Sequence, residues 1–390
     1  MTLKEELEIL RGEPIEVFTG DPMDIPCIET SDPEKLCKHP VVSVQMITYN
    51  HEPYIRQAIE GVMMQKTDFE FELVIGEDCS QDKTREICFE YQKRYPDKIR
   101  VLWWHENVSK LGGNGRRTRA HCRGEFIALC EGDDYWIDPL KLQKQVNVMR
   151  EYPNIGLCFC GSQTLQMDGS VNHWLDDYYG FSPGVIPGRR FLICNLYSDD
   201  PHRPPKVSQF IMTATMMFRK KTYLDAQRKF EIFSWRLSLG DITVRLGMSA
   251  LSDVYYCKDE MSVYRKTRTG ASNTNTRPIV VDGRLIRLYF ADEILGITNH
   301  ELPGFLNKDL YCSLLAVMAA RSASMQRAYI RRLMRVKGLR RVFTRPTSWP
   351  GLLSLWMGIL RPWQLRYYFK IVQWFSLNNV PPEVQRQYGG

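Results

Sequence analysis

The sequence predicts an α/β fold in which helices flank a mostly parallel central sheet. Two observations predict it. First, apolar, partly β-branched runs alternate with helix-like stretches through roughly the first 150 of the 390 residues, as is typical of right-handed βαβ units. Second, polar and acidic clusters directly follow three of the apolar runs. Because open parallel sheets bind ligands at the carboxyl ends of their strands, these clusters predict a site at that edge.

The clearest elements lie in the first half of the chain, in strand–helix order. We expect strands at residues 41–47, 69–75, 99–104 and 125–130, and helices at residues 54–65, 82–95, 116–122 and 139–152. Asp82 is expected to cap the second of these helices, and Pro139 to open the fourth. The four strands are therefore expected to lie parallel in one sheet.

The second half of the chain has a more mixed pattern. The expected strands are residues 156–160, 211–218 and 254–263, and the expected helices are residues 239–248, 279–295 and 310–336. Residues 1–39 are expected to form an irregular N-terminal extension that starts with one short helix.

Composition limits the class of protein. The first ten residues are acidic and carry no signal-peptide pattern, and no apolar run reaches the length of about 18 residues that suggests a spanning helix. The eleven cysteines are scattered, and their odd number indicates a reducing, cytoplasmic compartment. Cys158 and Cys160 share an expected strand face, but without a second cysteine pair they do not predict a metal site.

The positive charge of the chain is concentrated near its end. The net charge is +7, and residues 310–382 contain twelve Lys or Arg and no Asp or Glu. Tryptophan, tyrosine and leucine are interleaved with these cations, which favours binding to an anionic membrane surface. No zinc-finger spacing or aromatic RNA-binding strand supports nucleic acid as a partner. The alternative is a helical subdomain that packs on the rest of the chain or on a second copy in a homodimer.

The densest acidic cluster follows the fourth strand and consists of Glu131, Asp133 and Asp134. Carboxylates at the mouth of a sheet can bind Mg²⁺ or Mn²⁺, and the ion can in turn hold a diphosphate. The alternative is an acidic turn that caps the next helix, but the position directly after an apolar strand favours the metal site. Either Glu131 or Asp134 could complete the site with Asp133.

Polar residues also follow the first two strands. Asp78 could accept a hydrogen bond from the imide N–H of a nucleobase, and Tyr49 and Asn50 could face a base or a ribose. Since Asn and Asp are also ordinary turn residues, only the set as a whole indicates a nucleotide site.

Three segments together resemble the family 2 glycosyltransferases of GT-A fold: residues 42–50 (VSVQMITYN), 74–82 (VIGEDCSQD) and 124–136 (GEFIALCEGDDYW). The resemblance covers roughly residues 40–275 and implies an inverting enzyme that moves a sugar from a nucleotide-activated donor. It implies that Asp78 contacts the base and that Glu131-Gly132-Asp133 stands where the family has Asp-x-Asp, with Glu131 in place of the first Asp. The divalent metal is expected at Asp133 and Asp134. The residues that it implies for the nucleotide-sugar pocket are Thr48, Tyr49, Asn50, Glu52, Asp78, Asn114, Glu131, Gly132 and Asp133.

The acceptor side has weaker signals. An inverting transfer needs a base within reach of the acceptor hydroxyl, and Asp241, in Leu-Gly-Asp-Ile-Thr, matches the acidic position that the family has at a helix start beneath the acceptor. A simple helix cap is the alternative for Asp241. Thr213 and Thr215 alternate on one expected strand face, where they could line the acceptor pocket or be ordinary strand residues.

A cationic loop is expected after the last strand. Arg265, Lys266 and Arg268 could clamp the diphosphate there and stabilise its departure. A solvated basic loop is the alternative.

The sequence therefore predicts a cytoplasmic, metal-dependent, inverting glycosyltransferase that is peripheral on the inner membrane face through residues 310–382. The expected donor is a UDP-sugar, although Asp78 would also suit thymine, and the expected acceptor is a lipid-linked saccharide in surface-polysaccharide biosynthesis. Residues 40–152 are expected to bind the nucleotide sugar, residues 153–275 the acceptor, and residues 276–390 to form a helical, basic, aromatic region. The alternatives are a non-catalytic membrane module that retains the fold and a nucleotidyltransferase, although the chain lacks a Gly-rich basic loop after its first strand.

Overall fold

The computed structural model describes residues 26–108, 113–173, 181–196, 211–234 and 240–267, together with Ile286 and Phe290. The strands in these ranges are β1 (Ile28–Thr30), β2 (Val42–Thr48), β3 (Phe71–Glu77), β4 (Ile99–Trp103), β5 (Phe126–Leu129), β6 (Tyr135–Trp136), β7 (Ile155–Leu165), β8 (Val171–His173), β9 (Gly184–Ile186), β10 (Met217–Arg219) and β11 (Asp253–Arg265). The helices are α1 (Ile55–Met63), α2 (Thr84–Arg94), α3 (Asn114–Ala120), α4 (Lys141–Glu151), α5 (Gly188–Leu196), α6 (Lys220–Lys229) and α7 (Gly240–Ser249).

These strands all belong to one sheet. Along its main path the order is β1-β4-β3-β2-β5-β10-β7-β11-β6, with β8 beside β7 and β9 beside β11. Strands β4, β3, β2 and β5 are parallel neighbours, and β7 and β11 form a second parallel pair. Strand β10 joins the two groups, because it pairs antiparallel with both β5 and β7. The predicted fold class, a mostly parallel sheet flanked by helices, is confirmed in the described part of the chain.

The central strands are buried on both faces, as expected for parallel strands covered by helices. Every residue of β3 is buried, and in β2 only Ile47 is partly exposed. Helix α1 packs on the sheet through the fully buried Ile55, Ile59 and Val62, which have the helical spacing that the sequence predicts. A Cβ added to Gly61 would lie 2.9 Å from the backbone of Trp136, so this glycine lets α1 approach β6 closely.

The strands and helices predicted for the first half of the chain are confirmed, with boundaries that differ by a few residues. Asp82 caps α2 from just outside it: Asp82 Oδ1 accepts hydrogen bonds from the amide of Thr84 (3.0 Å) and from its hydroxyl (2.5 Å). Pro139 lies before α4 and not at its first position. Strand β1, in the segment that was expected to be irregular, adds an antiparallel edge strand beside β4.

The strand expected at residues 211–218 is wrong in its first half. Thr213–Thr215 is a turn of 3₁₀-helix, and β10 begins only at Met217. The hydroxyl and the amide of Thr215 both donate to the carbonyl oxygen of Met212, at 2.6 and 3.0 Å. Such local hydrogen bonds compete with a sheet ladder, and Thr213 and Thr215 consequently do not alternate on a strand face.

Helices α5 and α6 lie in the second half of the chain, where the sequence does not predict them. The expected helices at residues 279–295 and 310–336, the short N-terminal helix and the basic, aromatic tail lie outside the described residues. Among the described helices, none has the length and apolar character needed to cross a membrane.

Candidate active site

The three polar segments that follow β2, β3 and β5 meet at one edge of the sheet. The amide of Asp78 donates to the carbonyl oxygen of Thr48 (3.0 Å), and the amide of Gly132 donates to the carbonyl oxygen of Ile47 (2.9 Å). A side chain has no room at Gly132, where a Cβ would lie 2.5 Å from Thr48 Oγ1 and 2.9 Å from His51 Nδ1. The absence of a side chain at Gly132 thus allows the acidic segment to lie against the loop after β2.

The loops after β2 and β3 hold each other in place. Asn50, whose φ of +53° lies in the left-handed region, accepts a hydrogen bond on Oδ1 from the amide of Gln81 (2.7 Å). Its own amide donates to Ser80 Oγ (2.9 Å), and Glu52 Oε2 accepts from the amide of Lys83 (3.1 Å). The side chains of Asn50 and Glu52, two of the predicted pocket residues, therefore shape the wall of this edge by fixing both loops.

Asp78 is fully buried at the end of β3. Its Oδ1 accepts a hydrogen bond from the amide of Val108 (2.7 Å), and its carbonyl oxygen accepts one from Asn107 Nδ2 (3.2 Å). The carboxylate of Asp78 therefore lies against the segment that follows β4. Tyr49, predicted to face a base, lies on the surface with 39% of its area exposed.

Asn114 is nearly fully buried at the start of α3. Its Nδ2 donates to the carbonyl oxygen of Gly76 (3.0 Å), and its Oδ1 accepts from the hydroxyl of Thr118 (3.1 Å). A Cβ on Gly76 would lie 2.3 Å from Asn114 Oδ1, so the absence of a side chain at Gly76 permits this contact. Asn114 thus fastens α3 to the end of β3.

Glu131 and Asp133 are the partly exposed members of the acidic cluster. Burial, followed by the charges of Asp133 and Asp241, raises the pKa of Glu131 to about 8. Asp241 lies in the first turn of α7, and its effect on Glu131 means that the two carboxyls are close enough to interact. The predicted base and the predicted metal site are therefore neighbours.

His51 is a site residue that the sequence analysis does not identify. Its Nε2 lies 3.8 Å from Asp133 Oδ2, and its Nδ1 lies 3.2 Å from Thr48 Oγ1. Burial lowers the pKa of His51 and outweighs the opposing effect of Asp133, so the imidazole is neutral at pH 7. The only signal in the sequence is its position directly after Asn50, in the loop that follows a buried strand.

Asp134 differs from its two acidic neighbours because it is buried, with 1% of its area exposed. Its Oδ1 accepts a hydrogen bond from the amide of Arg265 (2.9 Å). Burial, and then the charges of Asp133 and Glu131, raise the pKa of Asp134 well above its usual range. Of the two candidates to complete the metal site with Asp133, Glu131 is partly exposed, whereas Asp134 is buried and its carboxyl accepts the amide of Arg265.

Arg265 is the last residue of β11 and not, as expected, part of the loop after it. Its Nε donates to the carbonyl oxygen of Asp133 (3.0 Å) and its Nη2 to Gln57 Oε1 (2.6 Å). The guanidinium also lies 4.9 and 5.1 Å from the ring centroids of Tyr54 and Tyr135. These contacts hold the guanidinium of Arg265 against the acidic segment.

The other two residues of the predicted diphosphate clamp are less closely attached to the acidic segment. The amide of Lys266 donates to the carbonyl oxygen of Leu165 (2.9 Å). Lys266 lines a separate groove with Arg265, Asn50 and Glu52. Arg268 lies outside the described residues.

A cleft of about 220 Å³ opens beside the acidic cluster. Residues from both halves of the chain line it, among them Asn114, Glu131, Thr213 and Asp241. Thr213 is thus at the predicted pocket. Thr215 is fully buried in its 3₁₀ turn and does not line the cleft, so its predicted place in the acceptor pocket is wrong.

The chemistry of the acidic cluster fits a divalent cation. Glu131 and Asp133 are hard oxygen donors of the kind that Mg²⁺ and Mn²⁺ prefer, and neither forms an ion pair with a Lys or Arg in the described ranges. The mutual repulsion that raises the pKa of Glu131 would be relieved by a bound cation. No group of three or more potential ligands converges among the described residues, so a cation held by Glu131 and Asp133 would need further oxygens from its ligand.

Comparison with known proteins gives a family-model match to a part of the chain that includes Asn114 and Glu131 but not Asp241. The model of Glycosyl transferase family 2 matches residues 43–223. An uncharacterised protein of Mycobacterium tuberculosis is 41% identical over 129 residues, which are 33% of this chain and 37% of that protein. TuaG of Bacillus subtilis, provisionally named a teichuronic acid biosynthesis glycosyltransferase, is 33% identical over 132 residues, or 34% of this chain and 50% of TuaG. The chain thus spans half or less of the length of these relatives.

A similar solved structure is that of residues 1–349 of S. aureus TarS in complex with UDP-GlcNAc. It is 15% identical in sequence, covers 77% of this chain and 89% of its own, and superposes with a TM-score of 0.48.

Proposed function

We propose that the protein transfers a sugar from a nucleotide-activated donor to a saccharide acceptor, because residues 43–223 match the model of Glycosyl transferase family 2. The observation that carries the proposal is the single cleft that Asn114, Glu131 and Asp241 line together. Residues that we propose to serve the donor and the acceptor line one cleft there, which supports a direct transfer.

The donor is proposed to be a UDP-sugar. Asp78 supplies a buried carboxylate at the end of β3, and one of its oxygens already accepts the amide of Val108. The carboxylate of Asp78 is proposed to accept the imide N–H of uracil, and it would suit thymine equally well. The cross-linked loops at Asn50 and Glu52 would give the base and ribose a rigid wall.

Glu131 and Asp133 are proposed to hold Mn²⁺ or Mg²⁺ together with the donor diphosphate. When bound, the cation would neutralise charge on the departing diphosphate. His51 would keep Asp133 oriented, since it faces Asp133 Oδ2 from the loop after β2. Lys266, and Arg268 beyond the described residues, are the cationic groups proposed to approach the same diphosphate.

Asp241 is proposed as the base that takes the proton of the acceptor hydroxyl. Its carboxylate lies in the cleft and interacts with Glu131, so an acceptor hydroxyl beside it would face the donor sugar. Attack by that oxygen from the side opposite the diphosphate inverts the anomeric carbon. Thr213, on the same cleft wall, is proposed to contact the acceptor.

The acceptor is proposed to be a lipid-linked saccharide in surface-polysaccharide biosynthesis. Residues 310–382 combine twelve cations with interleaved aromatic residues, which would hold the enzyme at the anionic, cytoplasmic face of the membrane where such acceptors lie.

Release of UDP from a panel of UDP-sugars in the presence of Mn²⁺ and an acceptor extract tests the proposal. Asp241→Asn should lower the rate by about 10²-fold or more, since that is the usual contribution of a general base, while thermal stabilisation by UDP and Mn²⁺ is retained. Asp225→Asn, on the exposed face of α6, is the matched control and should leave both unchanged.

Two outcomes would contradict the proposal. Absence of UDP release with every donor, together with binding of anionic vesicles, would indicate a non-catalytic membrane module. Release of pyrophosphate from a nucleoside triphosphate and a sugar phosphate would indicate a nucleotidyltransferase.

A further inference from the structure

The cleft has a cationic side as well as an acidic one. Arg119 extends from α3 into its lining and has only 9% of its area exposed. Its Nε donates to Gln45 Oε1 (2.9 Å) and its Nη1 to the hydroxyl of Tyr223 (3.2 Å). The guanidinium also lies 5.1 Å from the centroid of the Tyr223 ring. Arg119 is therefore held in one position by two neutral partners.

The charge of Arg119 has no carboxylate partner among the described residues. A buried guanidinium is costly unless an anion compensates it. The second terminal nitrogen of Arg119, Nη2, makes no hydrogen bond in the described part of the chain. It is also not among the fully buried side-chain atoms there that lack a hydrogen-bond partner. Nη2 is thus open to the cleft, with its N–H groups available to a ligand.

Arg119 and Glu131 line the same cleft from different elements. The groups that shift the pKa of Glu131 are Asp133, Asp241 and Thr213, and Arg119 is not one of them. The surroundings of Arg119 are Tyr223, Phe218 and the start of α3. An anion at Arg119 would therefore have the rings of Tyr223 and Phe218 beside it.

We propose that Arg119 recognises the carboxylate of an acidic sugar, so that the saccharide bound in this cleft is a uronic acid. The inference rests on the proposed function, because it takes the cleft as the place where the sugars bind. The carboxylate would accept hydrogen bonds from Nη2 and supply the compensating charge. Tyr223, which also lines the cleft, would offer its ring edge to the sugar.

Binding measurements with matched neutral and acidic ligands test this proposal. In the donor arm, the affinities for UDP-glucuronate, UDP-glucose and UDP are compared in the presence of Mn²⁺. In the acceptor arm, an oligogalacturonate is compared with a neutral oligosaccharide of equal length in the presence of UDP and Mn²⁺. We expect the acidic ligand of at least one arm to bind about tenfold more tightly than its neutral counterpart, as suits a charge-assisted hydrogen bond.

Arg119→Met should abolish this preference and leave the affinity for UDP unchanged, since it removes the charge while filling similar space. Arg228→Met, on the exposed face of α6, is the matched control and should retain the preference. If Arg119→Met does not fold, Tyr223→Phe, which removes one acceptor of the guanidinium, should weaken the preference in part.

The proposal would be overturned if the wild-type protein bound neutral and acidic sugars equally in both arms. It would also fall if Arg119→Met weakened UDP binding by the same factor as it weakened binding of the acidic sugar, because Arg119 would then serve the nucleotide. Binding of UDP with no acid preference would leave the proposed function standing, whereas failure to bind UDP would count against both.

Discussion

His51 faces Asp133 across the two loops that end β2 and β5, with Nε2 3.8 Å from Oδ2. Because the pKa of His51 is lowered by burial, the contact at pH 7 joins a neutral imidazole to a carboxylate. The imidazole also lies against Thr48 through Nδ1. Asp133 therefore lies beside a residue from a different strand end.

Replacement of His51 should weaken metal binding without unfolding the protein. His51→Ala removes the group that we propose to orient Asp133. Loss of a side chain that supports a metal ligand typically lowers the metal affinity by about 10- to 100-fold. Titration of Mn²⁺ in the presence of UDP measures the effect, and His173→Ala, at an exposed histidine of β8, is the control. An unchanged Mn²⁺ affinity in His51→Ala would show that Asp133 does not need this support.

The raised pKa of Glu131 predicts a pH-dependent stability in the metal-free protein. Its value in the folded protein is about 8, against 4.5 for the free side chain, so the folded state holds this proton more tightly than the unfolded chain. The free energy of unfolding should therefore fall as the pH rises from about 4.5 to about 8. Glu131→Gln should remove this loss and melt at least ~2 °C higher than the wild type at pH 8.

Thermal unfolding of the two proteins at pH 5 and pH 8 checks this prediction. The difference between their melting temperatures should be small at pH 5 and larger at pH 8. Saturating Mn²⁺ with UDP should raise the melting temperature of the wild type alone. A difference that is the same at both pH values would mean that Glu131 does not carry the extra proton.

Asp133 and Asp134 should behave differently although they are adjacent in sequence. Asp133→Asn should abolish Mn²⁺-dependent stabilisation by UDP, because it removes a proposed metal ligand. Asp134→Asn should keep that stabilisation, because Asp134 is buried with its pKa raised well above its usual range, and an amide oxygen can still accept the amide of Arg265. Thermal shifts with and without Mn²⁺ distinguish the two, and loss of the metal effect in both variants would assign Asp134 to the site as well.

Gly132 should tolerate no side chain. A Cβ would lie 2.5 Å from Thr48 Oγ1 and 2.7 Å from Thr48 Cβ, and overpacking of this kind costs about 1–3 kcal/mol. Gly132→Ala should therefore lower the melting temperature by several degrees, whereas Gly240→Ala, with nothing within 4 Å of its added Cβ, should not. Equal melting temperatures for Gly132→Ala and the wild type would show that the two loops can separate freely.

The buried Lys141 predicts an opposite dependence on pH. It is fully buried in α4, its Nζ donates to Gln145 Oε1 (2.7 Å), and burial lowers its pKa from 10.5. The unfolded chain therefore binds this proton more tightly, so the free energy of unfolding should rise with pH between the lowered pKa and 10.5. Lys141→Met should flatten that rise in denaturant unfolding between pH 7 and pH 10, whereas Lys221→Met, on an exposed helix face, should not.

Much of the donor half can be predicted from the sequence, because buried parallel strands are continuous apolar runs and the residues after them must lie at one edge. The different roles of side chains that are adjacent in sequence could not be predicted in this way. Asp133 and Asp134 are alike in sequence, and only the pairing of β6 with β11, which brings the amide of Arg265 to Asp134, separates them. A two-residue strand such as β6 has no periodic pattern to detect.

The second half of the chain could be predicted less well for physical reasons that individual residues illustrate. Thr213 and Thr215 have good strand propensity, but the hydrogen bonds of Thr215 to Met212 select a 3₁₀ turn. In the sequence, Arg119 is one of several cations in a basic helix. No local sequence pattern indicates that Gln45 and Tyr223, from two distant elements, bury it in the cleft.

Strand β10 bears on how substrates enter and leave. It is hydrogen-bonded on one edge to β5, which carries the acidic segment, and on the other to β7, the partner of β11. Rotation of one half of the molecule against the other would have to break a ladder in the middle of the sheet. The protein is therefore expected to exchange its ligands by movement of loops at the sheet edge, over a floor that stays rigid.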